Sequence, residues 1–159
     1  MRLALVALLA LSVLMVGCPK ERRALNVARK AVEATAQTVD LVDAEVSALY
    51  TAAAGEALAA CETRPCYDSA MRKWNKTVLA VNSMKLSLLV VENALDAWAA
   101  GSPNGQNNLL GAAACFFDSM VDLHILLAEL DAPAPALEQG LDYVRNLFGT
   151  SGYACPVGA

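Results

Sequence analysis

"LLGAAACFFDSMVDLHILLAEL", residues 109–130, reads as a helix. Leu109, Ala113, Phe116, Met120, Leu123, Leu127 and Leu130 step by four and three in alternation, the spacing at which side chains return to one face of a 3.6-residue turn. Working upstream, Met71, Trp74, Val78, Val81, Leu88, Val91, Leu95 and Trp98 keep mostly the same steps. Earlier still, Leu25, Val32, Val39, Val46 and Ala53 recur every seven residues, with Ala28, Thr35, Val42 and Leu49 three further on. That is a heptad seam. Downstream, Leu137, Leu141, Val144 and Phe148 form a shorter stripe. No stretch alternates with period two for long enough to make a strand. The fold class is all-α.

Glycine and proline mark the joins. "CETRPC" (61–66) separates helix 1 from helix 2, with Thr63 placed as an N-cap and Pro65 in the first turn. "GSPNG" (101–105) ends helix 2, with Gly101 as the left-handed residue after the cap, and "DAPAP" (131–135) separates helix 3 from helix 4. Such short joins fold each helix back on its predecessor, predicting an antiparallel up-down bundle of four helices. At 1.5 Å per residue, helix 1 (about 20–60) and helix 2 (about 65–100) make a hairpin of roughly 60 and 54 Å, while helix 3 (about 106–131) reaches roughly 39 Å. The hairpin tip is therefore expected to stand uncovered, and the small residues of "TAAAGEALAAC" (51–61) suit two closely spaced helices. Gly55 leaves open a break in helix 1 with the tip folded down.

The amino terminus speaks to location. Arg2 precedes an apolar run from Leu3 to Gly17 interrupted only by Ser12, and Cys18 follows. The run is short of the roughly 20 residues that cross a bilayer and has the length of a secretory signal core. Leu14, Met15, Val16, Gly17 and Cys18 resemble the lipobox of bacterial lipoproteins, a resemblance confined to these first 18 residues. It implies cleavage before Cys18, acylation of Cys18 on its sulfur and its new amino group, and stable anchoring through palmitate-like chains at about 0.8 kcal/mol per buried CH₂. The implied division is a signal peptide (1–17), a lipidated Cys18 with a basic tether (18–30) and a helical bundle domain (31–159), held at the cell envelope and facing the periplasm or exterior. A plain cleaved signal and an uncleaved anchor are the alternatives. Lys20, Arg22 and Arg23 speak for the anchor, because basic flanks stay inside. Cysteine number favours the lipid: with Cys18 set aside, Cys61, Cys66, Cys115 and Cys155 are an even set suited to an oxidising compartment.

Charge is laid out unevenly. Residues 19–30 carry a net +4 and the chain from Ala31 onward a net −9. The basic collar suits anionic headgroups at about 1 kcal/mol per residue, and equally suits a solvated helix start. The acidic body excludes nucleic acid as a partner.

Catalytic signals are poor. "GTSGY" (149–153) has Tyr153 where a nucleophile elbow needs glycine. Asp118 and Asp122 share a helix face, but His124, the single histidine, points elsewhere and no Glu-x-x-His pair exists. The expectation is a non-enzyme with no metal and no cofactor.

Four cysteines allow three pairings. Cys61 and Cys66 fall at the tip and Cys115 about 50 Å away along helix 2, far beyond the ~7 Å between Cα atoms that a disulfide spans. The expected pairs are Cys61 with Cys66 and Cys115 with Cys155. The stapled tip presents Glu62, Arg64 and Tyr67 as the candidate surface for an envelope protein partner, although the staple also serves simply to stop fraying. Two functions compete: a lipid-anchored, non-enzymatic scaffold or partner-binding protein, and a ligand-binding or inhibitor/immunity-type lipoprotein of phage or mobile-element origin with a pocket between helices. In either case the expected state is a monomer or weak oligomer, since helix 2 offers helix 1 an apolar stripe at high effective concentration.

Overall fold

The structure is a computed structural model that describes residues 19–148 and Cys155. It contains α1 (Pro19–Ala60), α2 (Arg64–Ala99), α3 (Gly105–Ala128) and α4 (Pro135–Phe148). Around the ring α1 packs on α2, α2 on α3, α3 on α4 and α4 on α1, while the diagonal pairs stay apart. This is the antiparallel up-down bundle expected from the short joins. α1 runs through Gly55 without a break, so the tip does not fold down. It also runs through residues 30 and 31, so the basic collar is the first three turns of the helix.

Each join has a backbone reason. At the end of α2, Gly101 takes φ +82°. Its N–H donates to the Trp98 carbonyl at 2.9 Å, and the Ser102 N–H donates to the Ala97 carbonyl at 2.9 Å, the paired bonds of a Schellman cap. The same cap closes α3 without glycine: Asp131 sits at φ +50°, its N–H reaching Ala128 at 3.1 Å and that of Ala132 reaching Leu127 at 3.0 Å. Asn104, at φ +69°, turns the chain into α3. Thr63 occupies the N-cap of α2 in extended conformation, but its hydroxyl makes no capping bond. Its carbonyl accepts from Tyr67 N–H at 3.2 Å instead.

The core lies where four helices surround it. From α3, Leu109, Ala113, Phe116, Met120, Leu123 and Leu127 are all buried. They meet Val32, Val39, Val42 and Val46 of α1, Val81, Met84, Leu88, Val91 and Leu95 of α2, and Leu137, Leu141 and Val144 of α4. The side chain of Phe148 lies outside the described residues. Among the described residues, the two buried polar side chains, Thr35 and Thr77, return their hydroxyls to the carbonyls of Ala31 (2.8 Å) and Lys73 (3.1 Å) one turn back. The hydroxyls are satisfied locally, so neither costs an unpaired group.

α4 is fixed by two contacts. The Glu45 carboxylate accepts from the Ala136 N–H at 3.2 and 3.3 Å, placing a negative charge against the positive end of α4. At Gly140 a Cβ would stand 2.6 Å from Thr38 Cγ2 and 2.9 Å from Met120 Cε, so glycine lets α4 lie close to α1 and α3. Farther out, Lys73 pairs with Glu129 at 3.7 Å, marking where α3 stops against α2. Beyond these points only α1 and α2 remain, and between Ser47 and Ala70 Ala57 alone is buried.

Candidate functional site

The first cysteine pair closes the hairpin tip. Cys61 and Cys66 have sulfurs 2.06 Å apart and Cα atoms 5.5 Å apart, the expected pair. Glu62 and Arg64 are exposed and Tyr67 is half-buried. Arg64 pairs with Asp68 at 3.8 Å on side chains 92% and 64% exposed, a geometry that contributes little in water. The staple therefore does bring Glu62, Arg64 and Tyr67 to one end of the molecule. Leu58 joins them at 67% exposure. Periodicity missed it because position 58 lies on neither heptad series.

In the body, Cys115 and Cys155 have sulfurs 2.07 Å apart and Cα atoms 4.6 Å apart, the second expected pair. Asp118, Asp122 and His124 are all exposed on α3. Among the described residues no group of three or more His, Cys, Asp or Glu side chains is placed to hold a metal ion. Lys85 and Asp43 form an exposed ion pair linking α2 to α1, and the Ser87 and Ser119 hydroxyls meet at 3.0 Å between α2 and α3.

Two surfaces were not foreseen. Leu79, Leu86, Leu89 and Val90 project outward from α2, Leu79 and Leu86 at 68% and 65% exposure. α2 and α3 are long and apolar enough to cross a membrane by length and composition. Both commit an apolar stripe to the bundle core, and α2 carries this second, outward stripe as well. The other surface is a groove of about 500 Å³ at the start of the bundle, lined by Arg23, Ala24, Val27, Ala28, Ala31 and Val32 of α1, Trp98 of α2, and Gln106, Leu109 and Leu110 of α3. No described residue of α4 lines it. From the Gly140–Thr38 contact, eight further residues carry α4 about 12 Å, to the level of residue 30 of α1.

Cys18, the expected lipidation site, lies outside the described residues, and Pro19 opens α1 directly after it. What the structure defines is an all-α antiparallel bundle with two consecutive cysteine pairs at disulfide distance and a thin two-helix tip. No protein-family model, curated protein or solved structure matches the chain.

Proposed function

We propose that the chain is a cell-envelope lipoprotein, anchored through acylated Cys18, whose bundle carries a non-enzymatic partner-binding tip. The observation that carries this reading is the cysteine pairing. Cys61 with Cys66 and Cys115 with Cys155 consume the four downstream cysteines and suit an oxidising compartment. Cys18, next to the first turn of α1, is the one left for other chemistry. The unbroken 42-residue α1 would hold the tip about 63 Å from its start. There exposed Leu58 near the end of α1, exposed Glu62 in the join closed by the cysteine pair, and exposed Arg64 and half-buried Tyr67 in the first turn of α2 make up the end of the hairpin.

Metabolic labelling with palmitate tests the anchor. The full chain should take up label, and Cys18→Ser should abolish it while leaving the helical circular dichroism unchanged. Unlabelled wild-type protein, or a product retaining residues 1–17, would sink the anchor. The tip is tested separately by crosslinking in intact cells: a partner captured by wild type and lost with Leu58→Asp supports it, and unchanged capture rejects it.

A further inference from the structure

We infer that the basal groove between α1 and α3 is a binding site for a long-chain fatty acid. α1 and α3 run parallel, so the lining residues have an order along the groove. Arg23 and Gln106 come first along the α1 and α3 walls, Ala24, Val27, Ala28, Ala31 and Leu110 follow along the helices, and Trp98 and Leu109 also line the groove. A cation and an amide at one end of an apolar channel match a carboxylate head followed by an alkyl chain.

Charge supports the same occupant. Among the described residues no acidic side chain lines the groove, although the body is strongly acidic, and its α1 wall lies within the basic collar, residues 19–30, which carries a net +4. Carboxylate and guanidinium form the stronger, charge-assisted kind of hydrogen bond. The volume, about 500 Å³, falls in the ordinary range for small-molecule sites. Val27, 59% exposed on the wall, gains cover when the groove is filled. The outward stripe of α2 is as apolar and has Lys76 and Lys85 beside it, which makes it the internal control for exposed apolar surface away from the groove. The anchor reading supplies a membrane as a source of the ligand, but the site itself rests on the groove.

The test uses the full chain in phosphatidylcholine nanodiscs with a palmitic acid bearing a diazirine. After irradiation, peptide mass spectrometry should place adducts within residues 23–32 and 105–110, competed by unlabelled palmitate. Val27→Glu should lower them at least fivefold, whereas Leu86→Glu should not, both variants keeping wild-type circular dichroism. Arg23→Gln should weaken competition by palmitate but not by palmityl alcohol. Adducts concentrated on residues 79–90, indifference to Val27→Glu, or no adducts would overturn the site. Adducts gained only on deleting residues 156–159 would assign the groove to the chain's own carboxyl terminus. Adducts gained only in Cys18→Ser would assign it to the protein's own acyl chain, and either result overturns the inference. Groove adducts in a chain that takes no metabolic label at Cys18 would uphold the site and remove only the anchor.

Discussion

The same two helices behave differently at the body and at the tip. Along α1, Val32, Thr35, Val39, Val42 and Val46 are all buried in the body. The heptad series continues into the tip with Leu49 and Ala53, yet both are only half-buried. The pattern is unchanged and its surroundings are not: two helices cover one stripe from one side, whereas four enclose it. Tip stability then rests on a staple and on local helix bonds such as the Thr51 hydroxyl to the Ser47 carbonyl at 2.8 Å. Body stability rests on buried area and on a disulfide joining distant parts of the chain.

Perturbations should separate the two regions. The largest effect is expected from replacing Cys115 and Cys155 together by Ser. Their 40-residue separation corresponds to about 4 kcal/mol of loop entropy, read as a lower urea midpoint. Next, Leu123→Ala removes a fully buried side chain and should cost about 3 kcal/mol, while Leu58→Ala at the tip should stay within about 0.5 kcal/mol. Equal losses at the two leucines would erase the distinction between body and tip. Third, Cys61→Ser with Cys66→Ser opens a loop of only five residues' separation and should cost about 2 kcal/mol at most. Its effect should appear as faster amide exchange confined to residues 47–72, and exchange rising throughout α3 would show that tip and body unfold together. The smallest effect is a gain: Asp131→Gly relieves a left-handed residue at the end of α3 and should stabilise by about 0.5 kcal/mol, seen as a small rise in Tm.

The helices, the Gly101 cap and both cysteine pairs were legible because each follows from local periodicity, from a residue with special backbone freedom, or from helix length. Asp131 was not, since aspartate adopts a left-handed conformation only where a cap requires it and no spacing rule marks that place. Glu45 reads as one more surface acid, because its role depends on Ala136, 91 residues later. In α2, "VLAVNSMKLSLLVV" (78–91) carries two apolar stripes. Counting threes and fours finds the one through Val81, Leu88 and Val91 and passes over Leu79, Leu86 and Val90. The basal groove escaped for another reason: it exists because α4 is shorter than the space between α1 and α3, which no single segment encodes.

The order of the cysteine pairs bears on how the chain is made. Cys61 joins the next cysteine along, and Cys115 joins the next after that. Among these four cysteines, a polypeptide emerging amino terminus first therefore meets the correct thiol partner at each step before a competitor from the same four arrives. Cys61 and Cys66 can be oxidised while the rest of the chain is still being delivered, and that closed pair is then out of reach for Cys115 when it appears. Cys115 waits only for Cys155, whose arrival coincides with the completion of α4. Sequential emergence selects the native pattern from the three that these four cysteines allow, so their correct oxidation requires an electron acceptor but no reshuffling of mispaired bonds among them.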